Sequence, residues 1–394
     1  MSDQDDTADR YTFEWHHSVK DFSRAEWDAL AEPVRTPFLE WEWLRCLEDS
    51  GSITPENGWL PCHLGVRNAG KLVAAAPLYI KGHSDGEFVF DYAFAEVAEQ
   101  IDVAYYPKMV GMSPATPSPG YRFLVDATTD AQTISAAMLE VIEAFCRVNE
   151  VSGCAFNFAE TEWVAAVTAN GWLPWKHQSY EWLNEGFSSF DDYLAGFTKN
   201  QRRNIRRERA AVRDAGLRIE CLRGDDIPES LMPVMYRYYK NTNDQFGMWA
   251  ARFLNRDFFA MLHPGYRDRI LMIAAFAESD PTPVALSFLV VKNDFMVGRY
   301  WGCREFFDAL HFEACYYAPI EWAIENGVRV FDPGMGSSHK IRRGFRAVEN
   351  YSLHRFIDPT MQHILETNLP RINRHEDAHI EYLNAASPLK APRI

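Results

Sequence analysis

Val73-Ala74-Ala75-Ala76-Pro77-Leu78-Tyr79-Ile80-Lys81 and, far downstream, Val284-Ala285-Leu286-Ser287-Phe288-Leu289-Val290-Val291-Lys292 are the two stretches on which the fold turns. Each is an apolar run of strand length that ends in a lysine, and each is far too short to span a bilayer. The segments C-terminal to the two runs match as well. Ile142-Glu143 lies in a helical pattern before the apolar Gly153–Phe158, and Ile320-Glu321 lies in a helical pattern before Val328–Asp332. Both halves thus read strand, turn, strand, then helix, strand, which is a duplication signal. The fold class expected is α/β (α+β): two similar lobes, each a mixed sheet flanked by helices. They would occupy 11–185 and 186–358, joined near 176–190, with a disordered acidic tail at 1–10 and a helical extension at 359–394.

Working outward, the patterns predict a strand at Tyr11–Val19, helices at Ala25–Ala31 and Pro37–Asp49, and a hairpin of Leu60–Arg67 and Lys71–Ile80. That hairpin turns at Asn68-Ala69-Gly70. A helix is expected at Asp130–Glu150 and a buried strand at Gly153–Phe158. In the second half, Phe190–Ala215 reads as helical with a break near Thr198. Leu217–Leu222 reads as a strand, then Leu231–Asn241 and Asn255–His263 as helices. Strands come next at Ile270–Glu278, Val284–Lys292 and Phe295–Trp301. A helix at Leu310–Asn326, strands at Val328–Asp332 and Ser352–Ile357, and a polar helical tail complete the chain.

The composition agrees with a large buried core. The chain has 394 residues, of which 47% are hydrophobic and 14% aromatic, which excludes a disordered chain, a small disulfide scaffold and a collagen-like polymer. Single cores seldom grow past roughly 250–300 residues, so the length also points to two domains. With 55 acidic and 40 basic side chains the formal charge is −15, which argues against a general nucleic-acid coat protein. The seven cysteines are odd in number and form no C-x-x-C pair, so they read as small buried thiols rather than a zinc site. The opening MSDQDDTADR has no basic end followed by an apolar stretch, and a soluble cytoplasmic protein with no membrane span is expected.

Four constellations carry possible chemistry. The segment from Lys199 to Arg213 holds seven positive charges and one negative within fifteen residues, and so leaves about −21 for the rest of the chain. At 3.6 residues per turn Lys199, Arg202, Arg203, Arg206 and Arg207 share a stripe, while Ile205 and Val212 lie on another side. Guanidinium forks suit phosphate oxygens; the alternative is a solvated helix whose arginines pair with surrounding acids. The second is Lys81-Gly82-His83-Ser84-Asp85-Gly86-Glu87-Phe88-Val89-Phe90-Asp91, beside Tyr105-Tyr106-Pro107-Lys108. His83, Glu87 or Asp91 there can take a proton from an amine or orient one, unless the segment is a polar loop with ordinary turn chemistry. The third is Arg299-Tyr300-Trp301-Gly302-Cys303 with His311-Phe312-Glu313-Ala314-Cys315-Tyr316-Tyr317. Pro319 either removes one backbone hydrogen bond inside that helix or marks its true start. Cys315 reads as a packed thiol before it reads as a nucleophile. The fourth is Phe331-Asp332-Pro333-Gly334-Met335-Gly336-Ser337-Ser338-His339-Lys340, with Arg342-Arg343-Gly344-Phe345 after it, a glycine-rich turn behind a strand with a basic tail.

Together these segments resemble the FemAB-like proteins of the GNAT superfamily, in the branch labelled peptidoglycan biosynthesis/recognition. The residues that carry the resemblance are Lys199…Arg203-Asn204-Ile205-Arg206-Arg207…Gly216, Tyr300-Trp301-Gly302, Ile320-Glu321-Trp322-Ala323-Ile324…Gly327 and Phe331-Asp332…Gly334. Pro37-Phe38-Leu39, Lys81–Asp91, Tyr105–Lys108, Thr116-Pro117, His311-Phe312-Glu313…Cys315-Tyr316-Tyr317 and His339-Lys340…Arg343-Gly344 add to it. The chain departs from the pattern at Ser337-Ser338, where an acidic residue is expected before the histidine–lysine pair, at Pro319, and at Asp332-Pro333.

The resemblance implies two tandem GNAT-like lobes and an acyltransferase. Fem-type relatives move an aminoacyl group from aminoacyl-tRNA onto an amine of a cell-wall precursor, and other members of the superfamily use acyl-CoA. This chain lacks the Q/R-x-x-G-x-G/A pyrophosphate loop at the place a CoA-binding lobe shows it, which favours aminoacyl-tRNA as co-substrate and an amine-bearing small molecule or peptide as acceptor. Acyl-CoA is the alternative donor, and a ligand-recognition protein that has lost turnover is the rival class. Aminolysis of an activated ester assigns proton handling to Glu313 or His311, with Asp91 and Glu87 next. Lys340, Arg343 and the stripe Lys199, Arg202, Arg203, Arg206 and Arg207 would hold phosphates. His83, Lys108, Tyr300, Trp301, Tyr316, Tyr317 and His339 would line the pocket. No metal and no permanently bound cofactor are expected.

Overall fold

Ala69 (φ 48°) and Gly70 (φ 83°) both take the left-handed conformation, the two-residue turn that suits the twist of an antiparallel hairpin. They join His63–Asn68 to Lys71–Ala76. Pro77 then has no N–H to give a ladder, and the strand breaks there. Beyond it Leu78–Lys81 leaves for a second sheet, where it pairs antiparallel with Lys108–Gly111. The run at 73–81, expected as one strand, therefore serves two sheets. One has the order Thr12–His16, His63–Asn68, Lys71–Ala76, Leu124–Val125. In the other, Leu60–Pro61, Leu78–Lys81, Lys108–Gly111, Gly153–Ala159 and the Tyr351–Phe356 end of Arg346–Phe356 succeed one another.

The matching run at 284–292 stays whole. Ala285–Lys292 is buried along its length and lies between Ile270–Ala277 and Phe295–Cys303, with Leu217–Arg223 beyond, all antiparallel. Val330–Asp332 adds to Phe295–Cys303 in parallel. The same step occurs in the first half, where Gly153–Ala159, entered from the helix Ala131–Val148, lies parallel to Lys108–Gly111. A strand that returns parallel through a helix is the part of the repeat that survives in three dimensions. Gly302 lets a helix approach this second sheet closely: a Cβ there would lie 2.1 Å from the Tyr238 carbonyl oxygen on Leu231–Asp244.

A computed structural model describes residues 10–247, 250–278, 280–336 and 338–390, so the expected acidic tail lies outside it apart from Arg10. The chain divides into two units. One takes the chain up to His177 together with Asn350–Glu376; the other takes Gln178–Glu349 and the chain from Asp377 onward. The helix Pro359–Ala385, expected as a separate extension over 359–394, is thus shared between them. Its first part packs Met361, Leu365 and Leu369 against Phe94 and Ala98 of the first unit. Its last part adds Ile380 and Leu383 to the core around Trp182, Tyr193, Phe197 and Phe331 in the second.

The helix at Leu310–Asn326 is three pieces. Leu310–Phe312 is α-helical, Glu313–Tyr317 is a π-turn and Ala318–Glu325 is α-helical again, with Pro319 in its first turn. The π-turn absorbs the missing donor: the Ala318 N–H reaches the Glu313 carbonyl, and Pro319 needs no bond of its own. Tyr92–Gln100, Thr161–Thr168, Lys108–Gly111 and Leu173–Leu183 are elements the sequence reading did not assign. All seven cysteines are free, but only Cys46, Cys62, Cys146 and Cys154 are buried; Cys303 and Cys315 are partly buried and Cys221 is exposed, which corrects the reading of all seven as buried thiols. Among the described residues no helix is long and apolar enough to cross a membrane.

Candidate functional site

The basic segment folds as the helix Lys199–Asp214, with Thr198 at its N-cap, and buries only Ile205 and Val212. At about 100° per residue, Arg202, Arg213, Arg206, Lys199, Arg203 and Arg207 fall in one continuous arc on the opposite side. Lys199, Arg203, Arg206, Arg207 and Arg213 are exposed; Arg202 is half-buried and donates to the Ala195 carbonyl at 3.3 Å. Arg206 reaches Asp191 at 3.4 Å, an exposed pair that contributes little. Lys199, Arg203, Arg207 and Arg213 have no hydrogen bond or ion pair among the described residues. Arg206, Arg209 and Arg213, at spacings of three and four, line a cleft of about 330 Å³ with Ser188, Ser189 and Glu325.

Two residues of this helix turn the other way. Arg209 donates to both Glu313 oxygens at 2.9–3.1 Å and to Glu321 at 2.6 Å, with its guanidinium over the Phe190 ring. Glu208 accepts two bonds from Arg343 at 3.0 and 3.1 Å and one from the Tyr317 hydroxyl. Glu313, expected to handle protons, is therefore held by an arginine. Burial raises its pKa, and Arg209 works against that rise. Arg343 is likewise committed: it also donates to the His339 carbonyl at 3.0 Å and stacks on Phe312 at 3.3 Å. Gly344 behind it takes φ 81°, and a Cβ there would meet the Tyr193 hydroxyl at 2.2 Å.

His311 faces a different neighbourhood from Glu313, although only two positions separate them. Its ring meets Trp301, Phe312 and Tyr316 edge-on and lies 6.1 Å from His339, centroid to centroid. Burial, with His339, Arg343 and Lys340 adding repulsion, pushes its pKa down to about 4. The imidazole is neutral, and neither ring nitrogen has a hydrogen-bond partner among the described residues. His339 is depressed by burial and by the same two cations, and it meets the Tyr316 hydroxyl at 3.2 Å. Lys340 points its amine at the Gly334 and Met335 carbonyls, at 2.5 and 2.9 Å, and so pins the glycine turn. Burial lowers this amine to about 8. Strand alternation separates Tyr300 from Trp301: Tyr300 packs with Tyr239, Phe259 and Phe288, away from the His311 cluster.

The first unit holds the second constellation, and it is no surface loop. Lys81, Glu87, Asp91 and Lys108 are all buried. Lys108 donates to Glu87 at 2.9 Å, to Ser84 at 2.8 Å and to Asp91; Tyr105 donates to Asp91 at 2.6 Å. Lys81 bonds the Asp85 carbonyl at 2.7 Å with its amine 3.4 Å above the Trp59 ring. Desolvation lowers Lys81 to about 7 and raises Glu87. Asp91 pays the same desolvation, but Lys108, Tyr105 and Ser84 outweigh it and its pKa falls. One oxygen each of Glu87, Asp91 and Asn157 has no hydrogen-bond partner among the described residues. His83 is half-exposed at the edge, bonded to the Asp85 N–H at 3.2 Å.

The structure thus brings His311, His339, Tyr316, Trp301, Lys340 and Arg343 together in the second unit, and Glu87, Asp91 and Lys108 together in the first. Residues that sequence reasoning passed over are Glu208, Arg209, Arg213 and Asn157. The first two had a signal: at about 50° either side of the buried line they flank it. Asn157 had one too, as the lone polar residue of the apolar Gly153–Ala159.

Residues 18–391 match the FemAB-like family, described as peptidoglycan biosynthesis/recognition. No curated protein matches the chain. Among solved structures, FemX superposes with a TM-score of 0.55 at 12% identity, covering 90% of this chain and 100% of that one. A DUF2156 domain from Agrobacterium fabrum, the C-terminal domain of a protein assigned as a lysylphosphatidylglycerol synthetase, gives 0.51 at 9% identity, over 89% of this chain and 97% of that one. At these identities the likeness is one of fold alone.

Proposed function

The chain belongs to the FemAB-like family, which supports an acyl- or aminoacyl-transferase in general, and on that premise we propose that its donor is an aminoacyl-tRNA and its acceptor an amine of a small molecule or peptide. The observation that carries this reading is the cationic arc. From Lys199 to Arg213 the helix rises about 21 Å, and a nucleic-acid strand places a phosphate every 3.4 Å or so. An acyl-CoA pyrophosphate needs a short nest of backbone donors instead; a long row of side-chain cations matches a strand.

The reaction is aminolysis. The amine nitrogen attacks the ester carbonyl carbon, the C–N bond forms, the ester C–O bond breaks, and the ribose oxygen leaves with a proton. We assign His311 to accept the amine's proton, because it is neutral with a free ring nitrogen. Glu313, Asp91 and Glu87 rank behind it, each already bound to an arginine or lysine. No acyl-enzyme is required, since positioning an activated donor supplies much of the barrier reduction.

The test supplies tRNA charged with radiolabelled amino acids and a set of primary amines. Label should pass into an RNase-resistant amide, and RNase pretreatment should abolish transfer. Activity that survives RNase and depends on added acyl-CoA overturns the tRNA donor. Binding of charged tRNA with no loss of its ester overturns the enzyme reading and leaves a recognition protein.

A further inference from the structure

Glu208 is the one acid among the seven cations of the stretch from Lys199 to Arg213, yet its own helix offers it no partner three or four residues away. The positions three and four residues away are Asn204, Ile205, Ala211 and Val212. Arg209 is in the reverse situation, with Ile205, Arg206, Val212 and Arg213 at those positions and no acid among them. Both side chains therefore find partners off the helix, on opposite flanks of its buried line. Glu208 goes to Arg343 and Tyr317; Arg209 goes to Glu313 and Glu321. Glu313 and Tyr317 are the first and last residues of the π-turn, so the helix is fastened to both ends of it.

We infer that Glu208 is a positioning residue for donor binding, which fixes the rotation of the basic helix so that the row Lys199, Arg203, Arg206, Arg207 and Arg213 faces the donor; this rests on the aminoacyl-tRNA reading. The signs of the charges make the setting unique. Turning the helix by one residue, about 100°, in one direction sets Arg209 against Arg343. Turning it the other way sets Glu208 against Glu313 and Glu321. Either misregister places like charges together, so the pair both attracts the correct setting and repels its neighbours. Arg343 contributes to the same latch from the other side, stacked on Phe312.

The test turns on a sign. Glu208→Gln removes a negative charge from a helix that binds a polyanion, so simple electrostatics makes binding tighter. A positioning role makes it weaker. The measurement is the Kd of a fluorescein-labelled RNA hairpin with a single-stranded 3′ end, against the full-length protein across a salt series. Glu208→Gln should weaken binding about tenfold and lower the slope of log K on log salt by about one, as a cation drops out of the row. Glu208→Asp, which keeps the charge at a shorter reach, should recover part of both, and it serves as the reading if the Gln variant does not fold. Equal or tighter binding by Glu208→Gln, or by Glu208→Asp in its place, overturns the inference alone. Salt-independent or absent binding by the wild type overturns the donor reading, and the inference with it.

Discussion

The two units use charge in opposite ways. In the first, Lys81, Lys108, Glu87 and Asp91 are buried, with Lys108 paired to both carboxylates and Lys81 held by the Asp85 carbonyl. In the second, Lys199, Arg203, Arg207 and Arg213 are exposed and answer nothing among the described residues, while their neighbours Glu208 and Arg209 anchor the helix from below. Buried ions must be paired because desolvation costs several kcal/mol each; exposed ones need no partner and are free for a ligand. A formal charge of −15 conceals both arrangements. A net charge of that sign argues against general nucleic-acid binding, while the cationic row on Lys199–Asp214 stays exposed.

If the first arrangement is structural, breaking it carries a large cost in stability. Lys108→Met leaves the Glu87 and Asp91 carboxylates buried without their cation, and a loss of about 3–5 kcal/mol is expected. Lys108→Met with Glu87→Gln and Asp91→Asn should recover most of it, since a neutral cluster has no uncompensated charge. Urea denaturation of the three proteins checks both. A loss below about 1 kcal/mol would show the cluster to be wet, and the contrast between the units would fail.

The second arrangement should respond in the reverse manner. Lys199→Ala, Arg203→Ala and Arg207→Ala together touch no partner, so the expected change in stability is within about 0.5 kcal/mol per site. RNA binding should fall about a hundredfold, near 2.7 kcal/mol, with the salt slope reduced by about 0.7–0.9 per cation lost. Unchanged binding would mean that the row is a solvated face.

The difference between the units was only partly legible in the sequence. Strands with one long apolar run, such as Ala285–Lys292, and the hairpin at Ala69-Gly70 arise from local chemistry, and the structure has them where the sequence places them. Pro77 is equally plain in the sequence, but the two sheets it separates are a matter of long-range pairing. The basic stripe was legible because 3.6 residues per turn depends on nothing else. That Arg209, outside the stripe, turns to hold Glu313 depends on which face is buried, and Ile205 and Val212 mark that face. The sealed cluster was the least legible: Lys81-Gly82-His83-Ser84-Asp85-Gly86-Glu87 has the composition of a solvated turn. Only the approach of Lys108 and Asn157 from other strands makes its carboxylates interior.

The smallest effect concerns two histidines of the first unit, and it separates burial from repulsion as causes. His177 and His354 both bond the Ser352 hydroxyl at 2.7 Å. A hydroxyl has one proton, so it donates to one ring and accepts from the other, an arrangement that suits two neutral imidazoles. Burial lowers His177 to about 4 and His354 to about 3, against an unfolded value near 6.5. A depressed folded value means that the unfolded chain takes up the proton first. The contribution to stability is therefore complete above about pH 6.5 and is lost as pH falls towards the folded values. Each histidine adds at most about 1.4 kcal/mol per pH unit to that slope. His354→Gln should flatten the stability curve between about pH 6 and 4.5 by up to this amount, measured by urea denaturation at a series of pH values. For His311 in the second unit, Arg343 and Lys340 share in the depression, and added salt screens charges where water reaches them. The His354 slope should persist at high ionic strength, because desolvation sets it and salt does not reach it. A slope that vanished with salt would assign it to surface charge, and the sealed character of the first unit would be lost with it.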